Sequence, residues 1–199
     1  MITDKLFGVI SLGCDKNRVD SEKLIGLLKQ KGCKLTDDLS KAQILIINTC
    51  AFLRVAREEA IDTILECAEY KKEHLEKIVV TGCLPQKYID ELYQPLMEVD
   101  VFLGINEYQK IFEALQHSYD EDKRQNYVAT GGDTYSYARS ITTPDHYAYL
   151  KIADGCYNHC TYCLIPKIRG KYHSYPIEDL LKETQELGDT AELILVAQD

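Results

Sequence analysis

The chain has 199 residues, 45% of them hydrophobic and 28% charged, as in an ordinary soluble globular protein with room for one large domain or one and a half smaller ones. Its 23 basic and 32 acidic residues give a formal net charge of −9. Such an acidic chain is a poor general binder of nucleic acids, DNA included, because that affinity comes from lysine and arginine at phosphates. A basic partner protein fits this charge better. No apolar segment approaches the length needed to cross a membrane.

The eight cysteines stand in a chain without a recognisable secretory signal, since the apolar run over residues 7–12 is too short for one. Disulfide frameworks belong to oxidising, extracellular compartments. We therefore expect a cytoplasmic protein whose cysteines are reduced and free to act as metal ligands.

Residues 1–117 alternate short apolar runs with helical patterns. The first helix is predicted to begin at Ser21, which resembles an N-cap, and to end at Gly32. This alternation predicts an α/β domain with a doubly wound, Rossmann-like parallel sheet. The other predicted elements are strands over 7–10, 42–48, 77–80 and 99–103, and helices over 53–74, 86–92 and 108–116.

Three cysteines of this domain each follow a predicted strand: Cys14, Cys50 and Cys83. The carboxyl ends of parallel strands share one edge of a sheet, where ligands bind, so we expect the three thiols to meet in space. Cys33 lies past a helix end and Cys67 within a helix, and both are interpreted as structural.

Residues 118–145 lack apolar periodicity and are predicted to be a linker, with a solvated charge run at 120–124 and a turn at Gly131-Gly132. A second domain is predicted over 146–199, with strands at 147–152 and 192–197 and a helix between Ser174 and Gly188. Two strands and one helix cannot close a barrel, so this domain is expected to be the truncated start of a partial (β/α) barrel and the chain a fragment.

Cys156, Cys160 and Cys163 form a C-x3-C-x2-C motif at the end of the first of these two strands. Three thiolates so close together can bind three corners of a four-iron cube and leave the fourth iron open. A zinc knuckle, with His159 or His173 as the fourth ligand, is the alternative.

This motif, with Tyr162 before its last cysteine, resembles that of the radical S-adenosylmethionine (SAM) enzymes. Together with the three strand-end cysteines it resembles the radical SAM methylthiotransferases, over essentially the whole chain. Stretches 11–22, 154–156 and 163–174 are similar to the branch that modifies an aspartate of a small-subunit ribosomal protein. Asp15-Lys16-Asn17 stands where the transfer-RNA branch usually has Gln-Met-Asn. Tyr175 departs from the pattern, which has Arg there.

The resemblance implies two [4Fe–4S] clusters, one on Cys14, Cys50 and Cys83 and one on Cys156, Cys160 and Cys163. It implies a transferase that adds a methylthio group to the β-carbon of the aspartate, using SAM, an electron donor of the flavodoxin or ferredoxin type and a sulfur source. No side chain is expected to act as an acid or a base. The expected SAM contacts are Tyr162, Lys167, Arg169 and Gln198.

Three alternatives remain open from the residues. Lys167, Arg169 and Lys171 also fit a solvated basic loop that contacts neither SAM nor substrate. A transfer-RNA methylthiotransferase is the second possibility within the same class of enzyme. A metal-stabilised or redox-sensing module without catalytic activity is a different class of function.

Overall fold

The computed structural model describes residues 2–129 and 139–199. Its main sheet has six strands, all parallel, in the order β2-β1-β3-β4-β5-β6. The strands are β1 (Leu6–Ser11), β2 (Lys34–Leu35), β3 (Ile44–Thr49), β4 (Lys77–Gly82), β5 (Val101–Leu103) and β6 (Gln125–Tyr127). The helices between them are α1 (Asp15–Gln30), α2 (Arg54–Ala68), α3 (Cys83–Leu92) and α4 (Ile111–Asp120). This confirms the predicted doubly wound α/β fold, in one of the two common strand orders.

The hydrophobic core follows the two central strands. Every residue of β3 and β4 is buried, which requires cover on both faces of the sheet and explains their nearly unbroken apolar sequence. β1 and β3 are neighbours, although β2 lies between them in sequence. The strand order therefore reverses between these two strands, and doubly wound sheets bind their ligands at such a switch point.

Residues 139–199 contain a smaller parallel pair. β7 (Tyr147–Lys151) pairs in parallel with β10 (Glu192–Val196), and α6 (Ile177–Glu186) lies between them in sequence. This is the strand–helix–strand unit that the sequence predicts. Two short strands pair antiparallel within it, β8 (Ala153–Asp154) and β9 (His173–Ser174), and α5 (Ile165–Ile168) is a single helical turn.

The predicted start of the first helix at Ser21 is wrong. Gly13 adopts a positive φ of 101°, so the chain turns directly after β1 and α1 begins at Asp15 with Cys14 as its N-cap. Ser21 is buried inside the helix. Its hydroxyl donates to Ser11 Oγ at 3.0 Å and accepts from Asn48 Nδ2 at 2.9 Å.

The prediction of an irregular, solvated segment from residue 118 is wrong at two places. α4 continues to Asp120, and residues 125–127 form β6, the last strand of the main sheet. Arg124 is only partly exposed, because its guanidinium donates to backbone carbonyls of 93, 96 and 99. The predicted turn at Gly131-Gly132 lies outside the described residues.

One further difference is small. The helix predicted over 53–74 is α-helical only to Ala68 and ends in a 3₁₀ turn, Glu69–Lys72. Within the part of the chain that the structure describes, no helix is both long and apolar enough to cross a membrane.

Candidate metal and cofactor site

The three strand-end cysteines lie around one cavity at the switch point. Cys14 caps α1, Cys50 follows β3, and Cys83 is the first residue of α3. All three line a cavity of about 540 Å³, a size typical of small-molecule sites. The predicted meeting of these thiols beyond the carboxyl ends of β1, β3 and β4 is therefore what the fold produces.

Asn17, on the first turn of α1, holds the cysteine-bearing loops together. Its side-chain amide donates to the carbonyls of Leu12 and Thr49, each at 3.0 Å, next to the loops that carry Cys14 and Cys50. Its Oδ1 lies 3.8 Å from Cys83 Sγ. Asn17 is completely buried, and a buried carboxamide needs all of its hydrogen-bond partners. Through these contacts one side chain fixes all three ligand loops.

Two glycines allow the loops to approach this closely. A Cβ on Gly13 would lie 2.8 Å from Cys50 Cβ, and one on Gly82 would overlap with Asn48 Oδ1 and the Thr49 carbonyl. Both glycines also have a positive φ. A side chain at either position would push the cysteine loops apart.

The three thiols differ in their surroundings. Cys14 is exposed, Cys50 is partly exposed and Cys83 is buried. Burial raises the pKa of the Cys83 thiol, and the nearby Arg169 guanidinium opposes that rise. A thiol must lose its proton to bind a metal, so this cation favours the ligating form of Cys83.

The backbone of the second cysteine loop turns tightly at Gly155 and donates hydrogen bonds to two of its sulfur atoms. Gly155 has a positive φ, and a Cβ there would overlap with the Lys171 carbonyl. Backbone N–H groups at 158 and 165 donate to the sulfur atoms of Cys156 and Cys163, at 3.4 and 3.5 Å. Such hydrogen bonds to ligand sulfur are a common feature of iron–sulfur sites.

One cysteine of the second group borders the cavity of the first group. Cys163 and Gln198 line the same cavity as Cys14, Cys50 and Cys83. Its walls are otherwise partly apolar, with Phe52, Leu53, Ala56 and Ile165 among the lining residues. The cavity between the two thiol groups is therefore open to a small molecule.

The four expected SAM contacts separate into two pairs. Arg169 and Gln198 line the cavity. Tyr162 is 81% exposed, Lys167 is also exposed, and neither lines it. The solvated-loop alternative is wrong for Arg169, which is buried, whereas Lys167 and Lys171 are exposed as that alternative predicts.

A buried cluster of charges joins the two parts of the chain around Arg169. Lys151 on β7 contacts Asp20 of α1 at 2.6 Å and Asp154 at 2.8 Å. Arg169 Nη1 contacts the same two carboxylates at 2.7 and 3.3 Å. Sequence reasoning missed this cluster, since Asp20 and Arg169 are 149 residues apart and no spacing pattern connects them.

The cluster is electrostatically matched. Burial would raise the pKa of Asp20, but Lys151 and Arg169 together hold it well below its usual range. Burial likewise opposes the charged form of Lys151, and Asp20 with Asp154 nevertheless raises its pKa well above the ordinary value. All four groups are therefore charged at neutral pH, and removing one would leave the others uncompensated in the interior.

The donor set has the chemistry that an iron–sulfur site uses. Among residues 2–129 and 139–199, no three His, Cys, Asp or Glu side chains are placed to hold one metal ion. A cube offers a separate iron to each thiolate, so three cysteines on three loops can each bind one corner. The N–H donors near the sulfur atoms of the second group suit the same kind of site.

The chain is similar to known proteins over nearly its whole length. Residues 6–104, which include Cys14, Cys50 and Cys83, match the family described as "Uncharacterized protein family UPF0004". Proteins named "Ribosomal protein uS12 methylthiotransferase RimO" are similar over nearly the whole chain. The one from Clostridium tetani is 47% identical over 97% of this chain and 44% of its own length. Those from Clostridium kluyveri and a Thermoanaerobacter species are 48% and 43% identical over 98% of this chain.

A solved structure shares the fold. It is that of OxsB, a cobalamin-dependent S-adenosylmethionine radical enzyme, with a TM-score of 0.54 and 12% identity over 100% of this chain and 34% of that one.

The chain belongs to the methylthiotransferase family. Within it, the chain is of the RimO type, the name that the similar proteins carry. It spans about 44% of the length of these curated relatives.

Proposed function

We propose that this chain takes part in radical SAM methylthio transfer to a small-subunit ribosomal protein, with two three-cysteine sites that each hold a [4Fe–4S] cluster. One observation carries the proposal: Cys14, Cys50 and Cys83 share a cavity with Cys163 of the second cysteine loop. Methylthio transfer needs a sulfur source and a radical source close to the same substrate carbon. A cavity lined by the three thiols of the first group and by one thiol of the second suits that requirement.

The bound clusters and SAM would supply the difficult chemistry, hydrogen abstraction at an unactivated carbon and delivery of the methylthio group. The chain's own residues would hold the clusters and SAM and position them. Asn17 and the two glycines beside it fix the first thiol group, and the N–H groups at 158 and 165 orient the second. Each set of three cysteines would leave one corner of its cube without a protein ligand.

The cavity walls suit both a SAM molecule and a radical reaction. Phe52, Leu53 and Ile165 are apolar and limit the water that reaches the reacting atoms. Lys16 brings positive charge to the same walls, whereas the charge of Arg169 is already paired with Asp20 and Asp154. Gln198 brings an amide whose Oε1 is buried. A carboxylate of SAM or of a substrate aspartate is the complementary group.

The substrate proposed is an aspartate of the ribosomal protein named in the relatives, uS12. Ribosomal proteins are basic, and the net charge of −9 favours a basic partner over nucleic acid. The reductant proposed is a protein of the flavodoxin or ferredoxin type, and the inserted sulfur comes from a separate donor.

A product assay tests this function. A full-length protein, in which this chain replaces the matching 44% of the Clostridium tetani relative, is reconstituted anaerobically with iron and sulfide and incubated with SAM, dithionite and either a uS12 peptide or transfer RNA. Mass spectrometry is expected to find a methylthio group on the aspartate of the peptide and none on the nucleosides. The Cys163→Ala variant, which breaks the second cysteine group, is the control and should give no product.

Two outcomes contradict the proposal. A methylthio group on the nucleosides, with the peptide unmodified, would assign the transfer-RNA reaction instead. An iron-loaded full-length protein of this kind that modifies neither substrate and does not cleave SAM would favour the non-catalytic module.

A further inference from the structure

Arg169 belongs to the second cysteine-bearing part of the chain but contacts the first cysteine group. It follows α5, six residues after Cys163, and its guanidinium is almost fully buried. One terminal nitrogen, Nη2, donates to Asn17 Oδ1 at 2.9 Å and to Cys83 Sγ at 3.8 Å. The other, Nη1, contacts Asp20 and Asp154.

These contacts place Arg169 next to Asn17, the residue that holds the loops of the first thiol group together. Asn17 uses its amide nitrogen to hold the loops of Cys14 and Cys50, and this requires its Oδ1 to point away from them. Arg169 supplies the donor that Oδ1 then faces. The orientation of the Asn17 carboxamide thus depends on a guanidinium from the other end of the chain.

The two carboxylates explain how a guanidinium stays at this position. Asp20 and Asp154 face Nη1, so the charge is neutralised and the planar group is held in one orientation. An arginine meets both demands because its donors point in fixed, divergent directions. A lysine ammonium at the same place would keep the charge but could not reach Asp20, Asn17 and Cys83 together.

We propose that Arg169 is a positioning residue for the first cluster site, through which the second cysteine-bearing part completes the ligand set of Cys14, Cys50 and Cys83. Its guanidinium fixes Asn17 and gives Cys83 Sγ a charged hydrogen-bond donor. The first site is therefore fully ordered only when the two parts of the chain are docked. This inference rests on the proposed function only in taking that site to bind a cluster.

Arg139 offers a matched control. It is also buried where the two parts of the chain meet, and it joins Glu22 of α1 to Glu183 of α6, each at 2.6 Å. Among its described contacts there is none with a cysteine or with Asn17. A lysine at 139 perturbs the same docking without touching the first thiol group.

The test uses the full chain with Cys156, Cys160 and Cys163 replaced by Ala, so that only the first site can bind a cluster. In this background the parent, Arg169→Lys and Arg139→Lys are reconstituted with iron and sulfide. Two properties are measured, the reduction potential of the cluster and the rate at which a chelator removes its iron. Thermal unfolding of each metal-free protein reports on docking separately.

For Arg169→Lys we expect iron release to accelerate by about 10- to 100-fold, the usual effect of losing an outer-shell partner. We also expect a lower potential, because a hydrogen bond to ligand sulfur stabilises the reduced cluster. For Arg139→Lys both properties should match the parent, even where thermal stability falls. Arg169→Gln removes the charge and should lower the potential further. If the lysine variant does not fold, the potential and the iron-release rate of Arg169→Gln test the positioning role in its place.

The outcomes separate this inference from the proposed function. A cluster in the parent with an unchanged potential and release rate in both Arg169 variants would overturn the positioning role alone. Equal changes in Arg169→Lys and Arg139→Lys would overturn it as well, because docking alone would then account for them. A parent that binds no iron at this site would overturn the proposed function, and this inference with it.

Discussion

The cysteines differ at the scale of the single residue by what surrounds each sulfur atom. Cys33 Sγ donates to the Ile2 carbonyl at 3.3 Å, and both Cys33 and Cys67 belong to the hydrophobic core. Burial raises the pKa of both thiols, which disfavours the thiolate that a metal needs. Neither Cys33 nor Cys67 lines the cavity that Cys14, Cys50 and Cys83 share.

Substitution by alanine should therefore divide the cysteines of the main sheet into two classes. Ala at Cys14, Cys50 or Cys83 should abolish the electron paramagnetic resonance signal of the first cluster and spare that of the second. Ala at Cys33 or Cys67 should leave both signals and cost only about 1–2 kcal/mol of folding free energy. Loss of a cluster in either of these two variants would contradict the assignment.

Gly82 provides a second prediction at this scale. Gly82→Ala should lower the iron content of the first site and cost several kcal/mol, because a methyl group there overlaps with Asn48 and Thr49 beside the cysteine loops. Gly188→Ala is the matched control: its φ is also positive, but no atom lies within 4 Å of the added Cβ. It should cost about 1 kcal/mol and leave the iron content unchanged. Urea unfolding with iron analysis measures both effects, and equal results would refute the steric argument.

The sequence predicts the six candidate ligands but not the residues that arrange them. Cysteines are rare and reactive, so their spacing after apolar strands carries information. Asn17 and Arg169 are ordinary residue types in sequence, and only folding brings Arg169 to Asn17 across 152 positions. The place of Arg169 at the first thiol group was therefore not predicted, because its charge suggested a SAM contact or a solvated loop instead.

At the scale of elements, sequence patterns identify the apolar strands, the three-residue β5 among them, and miss the short polar ones. β3 and β4 each contain a run of three or four apolar residues and were predicted, because a doubly covered strand needs such a run. β2 and β6 have two and three residues, too few for any periodicity to appear. The start of α1 was misplaced because the chain turns at Gly13 and the helix N-cap is Cys14, whereas the sequence pattern favoured a serine.

Arg124 gives a prediction for the last strand of the sheet. Its guanidinium donates to the carbonyls of Tyr93, Leu96 and Val99 and lies over the Tyr93 ring, 4.4 Å from its centroid. Arg124→Met should cost roughly 2–3 kcal/mol, because three carbonyls lose a charged donor. The neighbouring Lys123 is exposed, and Lys123→Met should change the free energy of unfolding by less than about 0.5 kcal/mol. Chemical denaturation compares the two, and a similar small effect for both would show that β6 does not depend on Arg124.

At the scale of the whole molecule, buried charges hold α1 against residues 139–199. Three charged residues close together on α1 are buried: Asp20, Glu22 and Lys23. Ion pairs of this kind are weak evidence for stability but specify how two surfaces fit together. The sequence predicted two parts with a connection between them and gave no sign of this shared interior.

Lys23 makes the docking dependent on pH. Burial lowers its pKa to about 8 from the ordinary 10.5, Lys151 adds to this effect, and Glu183 and Asp20 oppose it. Between pH 8 and 10.5 the unfolded chain keeps a proton that the folded chain has lost, so stability rises with pH in this window. The charged groups that influence Lys23 are Lys151, Glu183, Asp20 and Arg139.

Lys23→Met should therefore remove a rise of roughly 2–3 kcal/mol across this pH window. The measurement is urea unfolding of the reduced, metal-free chain at several pH values between 8 and 10.5. Lys29→Met, at an exposed position on the same helix, is the control and should keep the rise of the parent. Parallel curves for parent and Lys23→Met would show that this lysine does not titrate in the window.

The measurement that tests the central claim most directly is the iron and acid-labile sulfide content of the chain after anaerobic reconstitution. Two three-cysteine sites predict about eight iron and eight sulfide per chain, falling to about four of each when either cysteine group is replaced by alanine. One or two zinc ions per chain, with no sulfide, would contradict the account and favour a metal-stabilised module.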